Sequence, residues 1–599
     1  MFQTFDSPTS PSTGPARLAA LREEMARHGF DGVLVPRADA HQGEYVADHD
    51  ARLAWLTGFT GSAGFCIALA EAAGVFVDGR YRVQVKAQVD TDHFTPVDWP
   101  EIKPAPWLRE HLSQGRIAFD PWLHAVSEVE ALERGLDGSD IALVPADNPV
   151  DAVWTDQPAP PLGRIVPYPI DFAGEAHGEK RTRLAETLRD KGERAAVITL
   201  PDSIAWLLNV RGSDIPRNPV PHSFAILHDD ASVDLLAAPE KVDDDLRTHL
   251  GTGVRVNAPA EFGALLDRLR GPVRIDPASC PVWVLNRLKA AGVDISRGTD
   301  PCILPKAAKS EAEIAGTREA HLRDAAAMCR LLAWYDATPK DGLTEIDIVT
   351  ALEGFRAETN SLLDISFDTI CGSGPNGALP HYRVSADSNR TLTEGDLIVL
   401  DSGGQYFDGT TDITRTLVVG QAGAEEKACF TRVLQGMIAI SRLRFPKGLA
   451  GQHLDAFARR PLWEAGLDYD HGTGHGVGTY LCVHEGPQRL SRVSDIPLEP
   501  GMILSNEPGY YREGAFGIRI ENLIVVQPAA DLPGADDRAM LEFETLTWVP
   551  IDTRLIDTAL LAPAERDWLN AYHAAVRDKV MPRLDGDAAI WLHRATQPI

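Results

Sequence analysis

Apolar and polar positions along the first 90 residues follow two periods. ARLAALREEMARHGFDGVLVPRAD opens with apolar residues three and four apart, the spacing of an amphipathic helix, then passes into a continuous apolar run, Gly32 to Pro36, that reads as a buried strand. Val75 to Val77 reads as a further strand, ending in a turn at Asp78-Gly79. Strands alternating with helices predict an α/β domain. The same succession restarts near residue 173, with a helix, a strand from Ala196 to Leu200, and then IAWLLNVRG at 204–212. That stretch resembles LAWLTGFTG at 53–61 and occupies the same place in the pattern, so two structurally related α/β domains are expected. Residues 1 to about 14, rich in Ser, Thr and Pro, read as a loose tail.

The pattern changes at Pro305-Lys306. Ser310 and Glu313 have capping-box spacing, and Leu322, Ala325, Ala326, Cys329 and Leu332 fall on one helical face. Thr344 and Asp347 open a second helix, with Ile348, Leu352 and Phe355 on its apolar side. Short β-type runs then follow: LIVLDSG, DITRTLVVG, MILSNEPG and GIRIENLIVV. Helices followed by strands predict an α+β domain with an antiparallel sheet. The last stretch, 553–599, reads as helical, with TRLIDTALLAPAERDWLNAYHAAV amphipathic.

A length of 599 residues exceeds one ordinary core, and two to four domains are expected. The formal charge of -28 argues against nucleic acid or an anionic membrane as the main partner. The seven cysteines are scattered and form no CxxC pair, which speaks against a disulfide framework or a zinc–thiolate site and fits a reducing compartment. The N-terminal stretch has neither a basic nor an apolar leader region, and no apolar run is long enough to span a bilayer. A cytoplasmic protein is expected.

The chemistry gathers in the strand-rich region. LIVL ends in Asp401, a turn follows at Asp408-Gly409, and the return strand carries Asp412. Two aspartates on neighbouring strands near a core repel each other unless a cation lies between them. Either one alone would read as a turn cap or a solvated acid. Glu507 follows an apolar strand and precedes Pro508-Gly509. In GIRIENLIVV, alternation puts Arg519 and Glu521 on one face, where the plainest reading is a salt bridge between them. HGTGHGVGTYLCVHEGP, 471–487, holds three histidines and five glycines. It lacks the phosphate-loop and dinucleotide signatures, so its glycines are read as letting backbone pass close to a site that His471, His475 and His484 face. Two Asp, two Glu and one His make an oxygen-rich donor set suited to Mn²⁺, Co²⁺ or Fe²⁺, and tolerant of Zn²⁺. Four carboxylates are too many for one divalent ion and fit two.

With these residues in view, the chain resembles the pita-bread metallopeptidases, and within them the three-domain form of the Xaa-Pro aminopeptidase (aminopeptidase P) family. The blocks that carry the resemblance are DAHQGEYVADHDARLAWLTGFTGSAG (39–64), SFDTICGSGPNGALPHYR (366–383), LDSGGQYFDGTTDITRT (400–416), HGTGHGVGTYLCVHEGP (471–487) and NEPGYYREGAFGIRIEN (506–522). The resemblance implies Asp401, Asp412, His475, Glu507 and Glu521 as metal ligands. Asp412 and Glu521 would approach both ions, and Glu507 would also handle a proton. It implies His381 and His484 as binders of the substrate carbonyl, His471 and Tyr511 as shapers of a proline pocket, and Arg519 as the partner that orients Asp401. It further implies two creatinase-like α/β domains, 1–170 and 171–307, followed by a pita-bread catalytic domain with a C-terminal extension, 308–599. The implied cofactor is a pair of divalent ions per subunit, Mn²⁺ first, with Co²⁺ or Zn²⁺ as alternatives. The implied substrates are peptides with proline second, and a homodimer is implied.

Three other readings share the fold. A prolidase would cleave Xaa-Pro dipeptides alone and normally has one N-terminal domain. Methionine aminopeptidases need no such N-terminal half, and creatinase-type hydrolases work without metals. From another class, a non-catalytic pita-bread module would usually lack metal ligands and carry an acidic tail.

Overall fold

A computed structural model describes every residue of the chain except Pro8. Two compact units result, Pro8–Lys306 and Met1–Ser7 together with Ala307–Ile599.

Pro8–Lys306 contains two six-stranded sheets of one topology. In the first, the strands run in space Thr95–Asp98, Ala73–Val77, Phe65–Leu69, Gly32–Pro36, Gln114–Phe119, Asp140–Pro145. Successive pairs are parallel, antiparallel, antiparallel, parallel and parallel. The second sheet repeats that series with Val254–Asn257, Val233–Leu236, Phe224–His228, Ala195–Ile198, Val273–Ile275 and Ile295–Arg297. The expected duplication is therefore real. LAWLTGFTG and IAWLLNVRG form the equivalent helices Arg52–Thr57 and Pro201–Leu208. Each ends on a left-handed residue, Gly58 at φ 88° and Asn209 at φ 49°, residue types that tolerate this conformation.

The two halves join through equivalent segments. The N–H of Val126 donates to Cys280 O at 3.0 Å, and that of Val282 donates to His124 O at 3.0 Å. Beside this exchange Trp122 and Trp283 stack with centroids 4.0 Å apart, and Phe224 stacks on Phe262 at 4.8 Å. One buried cluster draws on both sheets, with Phe76, Ile117, Ile226, Phe262 and Leu288 among its members.

The other unit repeats a helix pair and a sheet. Helices Glu311–Ala337 and Glu345–Ala357 start on the expected capping boxes at Ser310 and Thr344. They precede an antiparallel three-stranded sheet, Ile370–Ser373, Leu397–Ser402 and Ile413–Val418. A second pair, Ala424–Ser441 and Gly451–Trp463, then precedes an antiparallel six-stranded sheet. That second helix pair was missed by counting strand runs, although Phe430, Val433, Leu434, Met437 and Ile438 are helically spaced and buried. Helices Pro563–Val580 and Gly586–Ala595 close the chain, the first starting later than the amphipathic stretch suggested.

Two further expectations are corrected. The buried face of Glu311–Ala337 includes His321 and Asp324, both 0 % exposed, and Leu322 lies off it. The charge of the buried Asp324 is met by Arg356, which grips both of its oxygens, at 2.7 and 3.1 Å. The N-terminal residues are not a loose tail. Gln3 is 1 % exposed, its Oε1 accepting from Thr369 N–H at 2.8 Å and its Nε2 donating to Thr369 O at 3.3 Å. All seven cysteines are buried and none is in a disulfide.

Phe262→Ala should remove a ring shared by the two sheets of Pro8–Lys306 and cost about 3–5 kcal/mol. Urea unfolding followed by tryptophan fluorescence would register this as an earlier transition; an unchanged midpoint would mean the joint core is not cooperative.

Candidate metal centre

The strands of the C-terminal unit stop, break or bulge where the acidic residues sit. Asp401 lies near the end of Leu397–Ser402, opposite Ile370 and Thr414. The chain then makes a small inner hairpin, Gly404–Tyr406 with Gly409–Thr410, and delivers Asp412 just before Ile413–Val418. Asp412 is therefore on the link into the return strand rather than within it. Glu507 follows Ile503–Asn506, its N–H donating to Thr473 O at 2.8 Å. Glu521 occupies a break between Phe516–Arg519 and Asn522–Pro528, its N–H donating to Thr414 O at 3.1 Å.

The glycine-rich stretch provides the opposite wall. His475 sits in the three-residue strand Gly474–Gly476, which has an irregular register beside it. A Cβ on Gly474 would stand 1.9 Å from Ser505 O, so only glycine lets this strand lie so close to its neighbour. The Nδ1–H of His475 donates to Gly476 O at 2.9 Å, which leaves the Nε2 lone pair free of the ring proton. Nε2 stands 3.5 Å from Asp412 Oδ2 and 3.4 Å from Glu507 Oε1. Single ligand-type atoms of Asp412, His475 and Glu521 all lie within 4.8 Å of one another.

Arg519 does not pair with Glu521. Its Nη2 donates to Asp401 Oδ2 at 2.6 Å, its Nη1 donates to the Tyr511 hydroxyl at 2.6 Å, and its Nε is 4.0 Å from Glu507 Oε2. The break at Glu521 ends the strand alternation that would have put the two side chains together. His471 donates Nδ1–H to Gly472 O at 2.7 Å, so its Nε2 accepts from Tyr511 at 3.0 Å. The His484 ring meets that of His475 edge to face, with centroids 4.3 Å apart. His381 is half-buried, on the stretch of chain that links the short helix Gly374–Ala378 to the strand Leu397–Ser402.

The electrostatics are strained. Burial, followed by the charges of Asp401 and Glu507, pushes the Asp412 carboxyl well above its ordinary range. Burial and the charges of Asp412, Asp401 and Glu507 do the same to Glu521, and burial raises Glu507. Two like charges about 4 Å apart at an effective dielectric of about 20 repel by roughly 4 kcal/mol. Asp401 Oδ1 and Glu521 Oε1 are buried with no hydrogen-bond partner. An oxygen-rich cage with unbonded inward oxygens, one correctly presented imidazole and excess negative charge is chemically suited to hard divalent cations.

Three supporting residues were not anticipated. Ser505 Oγ accepts from His475 N–H at 2.9 Å and donates to Glu507 Oε1 at 3.2 Å. Thr414 Oγ1 donates to Glu521 Oε2 at 2.7 Å. Arg415, 1 % exposed, donates to the backbone oxygens of Glu521, Val549 and Pro550. Its signal was present in ITRTLVVG, where an arginine interrupts an otherwise strand-like, uncharged run.

Residues 315–528 match metallopeptidase family M24, and 539–599 match the C-terminal region of peptidase M24. Residues 17–153 and 156–313 each match a creatinase/prolidase N-terminal domain. Over 97 % of its length the chain is 40 % identical to aminopeptidase P2 of Arabidopsis thaliana, spanning 88 % of that protein. It is 39 % identical, again over 97 %, to a probable Xaa-Pro aminopeptidase P of Laccaria bicolor, spanning 93 % of it. The crystal structure of X-prolyl aminopeptidase from Caenorhabditis elegans, described as a cytosolic enzyme with a di-nuclear active site, aligns with a TM-score of 0.93 and 33 % identity, covering 98 % of this chain and 100 % of that one. An Xaa-Pro dipeptidase from Bacillus anthracis aligns over 63 % of this chain and 99 % of its own, with a TM-score of 0.52 and 25 % identity. The chain belongs to metallopeptidase family M24, and within it to the aminopeptidase P group.

Carboxyls whose folded pKa is raised bind protons more readily in the folded chain than in the unfolded one. Their contribution to stability is therefore lost as pH rises from the unfolded carboxylate value, about 4, through the raised folded value. Metal-stripped protein scanned calorimetrically between about pH 5 and pH 8 should lose thermal midpoint more steeply than the stripped Asp412→Asn variant. Parallel curves would mean that the cluster is not strained.

Proposed function

We propose that this chain is a metal-dependent aminopeptidase that hydrolyses the bond between the first residue of a peptide and a proline in second position. The observation that carries the chemistry is the convergence of four carboxylates and His475 Nε2, from five separate stretches of chain, on one buried place. Asp401, Asp412, His475, Glu507 and Glu521 are the residues that would hold two divalent ions. Mn²⁺ is the first choice for that donor set, with Co²⁺ and Zn²⁺ as alternatives. When bound, such a pair acidifies a shared water and polarises the scissile carbonyl.

The remaining work falls to side chains. Glu507 would act as the base, taking up a proton and relaying it to the departing proline nitrogen. His484 and His381 would donate to the carbonyl oxygen as negative charge develops on it. His471 and Tyr511 would flank the proline ring. The Xaa-Pro bond has no N–H, so recognition has to come from a pocket shaped for that ring.

The aminopeptidase reading is preferred to a prolidase because the similarity to aminopeptidase P proteins runs through the whole chain, whereas the Bacillus dipeptidase corresponds to 63 % of it. The reading keeps three domains, 1–170, 171–307 and 308–599, and extends to a homodimer. It also places the protein in the cytoplasm, as the C. elegans enzyme is cytosolic. No helix among the described residues is long and apolar enough to cross a membrane.

Stripped protein reloaded with Mn²⁺ should release arginine from Arg-Pro-Pro and far less from Arg-Pro, as followed by mass spectrometry. Preference for the dipeptide would move the assignment to prolidase, and no cleavage with metal bound would leave a non-catalytic module. Arg519→Lys keeps the charge but cannot serve Asp401 and Tyr511 together, so metal affinity or kcat/KM should fall about 10–100-fold. Unaltered titration and kinetics would remove Arg519 from the site.

A further inference from the structure

A second group of ligand-type side chains, built around the buried Asp39, lies within Pro8–Lys306 and has no part in the chemistry above. Asp39 follows the Gly32–Pro36 strand of the first sheet, Asp50 precedes helix Arg52–Thr57, and His222 precedes the Phe224–His228 strand of the second sheet. One ligand-type atom from each lies within 4.8 Å of the other two. Asp39 is 1 % exposed. Its Oδ1 accepts from the N–H groups of His41 at 2.8 Å and Gly43 at 3.4 Å. Its Oδ2 stands 3.1 Å from His222 Nε2, yet neither atom has an aligned hydrogen-bond partner. A carboxylate oxygen and an imidazole nitrogen that face each other without a shared hydrogen axis have the relation of two ligands of one ion. Ligands about 2.1 Å from a common ion stand about 3–4 Å apart.

The surroundings fix this arrangement. The backbone N–H of His222 donates to Asp214 Oδ2 at 2.6 Å, and that oxygen also accepts from Lys241 Nζ at 2.6 Å. Arg52 gives its charge to Asp50 Oδ1 at 2.9 Å and to both oxygens of Asp151, at 2.6 and 2.9 Å. His41, whose ring is 4.7 Å from that of His222, is held down to about 4, chiefly by burial, and contributes no charge near neutral pH.

The duplicated fold supplies an internal comparison. Gly32 pairs with Ile117 as Ala195 pairs with Val273, so the two central strands correspond residue for residue. Seven positions on from each glycine or alanine lies an aspartate, Asp39 in one half and Asp202 in the other. Asp202 is closed by Lys306 Nζ at 2.8 Å. Asp39 faces an imidazole nitrogen and a second carboxylate instead, a donor set in which the imidazole pairs with Asp39 as an ion only when protonated.

We propose that Asp39, Asp50 and His222 bind one divalent first-row ion, of the Zn²⁺, Co²⁺ and Mn²⁺ class, which fastens residues 39–50 to the second sheet. Two carboxylate oxygens and one imidazole leave room for water to complete the shell. The ion would join the start and the end of one long connection to a strand of the other half, so its role is structural.

The test is a metal count. Full-length protein is stripped, equilibrated with Zn²⁺, freed of excess by gel filtration and analysed by plasma mass spectrometry. Wild type should carry about one equivalent more than His222→Gln, and Asp39→Asn should lose the same equivalent. Near-UV circular dichroism confirms that each variant is folded, and the isosteric Asp39→Asn serves if His222→Gln is not. The difference is read whatever the total, so it does not depend on the occupancy of the catalytic cluster. Equal counts in wild type and a folded variant would overturn the proposal and leave an ordinary imidazolium–carboxylate pair.

Discussion

Four carboxylates buried against one another need counter-charge, and much of the C-terminal unit is arranged around that requirement. Arg519 is a guanidinium that reaches in, and it is 2 % exposed. It spends one nitrogen on Asp401 and another on Tyr511, so it neutralises one acid rather than four. Arg415 is nearby but does a different task. Its hydrogen bonds go largely to backbone carbonyls, including that of Glu521, and burial holds its pKa below the ordinary guanidinium value. It fixes the chain that carries Glu521 and leaves the carboxylate itself uncompensated. The negative charge that remains is what a pair of divalent ions would cancel.

The scaffold holds these acids together by placing them at interruptions. A residue within a strand has its direction set by the pleat, whereas a residue at a strand end or break can turn away from the ladder. Asp412, Glu507 and Glu521 all lie just outside strands, and His475 lies beside a register irregularity. Their backbone N–H groups remain tied, Glu507 to Thr473 O and Glu521 to Thr414 O. Hydroxyls then aim the oxygens, Ser505 for Glu507 and Thr414 for Glu521. The repeated order of helix pair and sheet brings such interruptions from two sheets to one place.

Much of this was legible in the sequence, for definite physical reasons. Gly32–Pro36 could be placed because a five-residue apolar run between turns has few other uses, and the capping boxes at Ser310 and Thr344 because hydroxyl and carboxylate must stand three residues apart. The duplication was legible in nine residues because both copies need a helix closed by a left-handed residue. The partner of Arg519 was not legible from alternation, because the strand breaks at Ile520-Glu521 and periodicity gives no sign of a break. Nor was the buried role of Gln3, since a polar residue in a Ser- and Thr-rich leader looks solvated until its partner, Thr369, is known. The five acidic and imidazole residues could be named as a set. Their mutual distances, and the unbonded oxygens of Asp401 and Glu521, belong to the tertiary structure alone.

One hydrogen-bonded line connects the two halves of the proposed site. Arg519 donates to Tyr511, and Tyr511 donates to His471, because His471 has already committed its own proton to Gly472. Burial pushes the Tyr511 hydroxyl up to about 12, so it keeps its proton and the direction of the line is fixed. The other end of the arginine holds Asp401. If His471 and Tyr511 flank the proline ring, the residues that recognise the ring and the residue that presents Asp401 share one rigid connection. Displacing His471 would then be felt at Asp401 through three hydrogen bonds in series rather than through diffuse packing. Such coupling gives a physical reason for proline recognition and metal-dependent hydrolysis to be built as one unit, since a pocket that fits the ring also holds the carboxylate that the reaction needs.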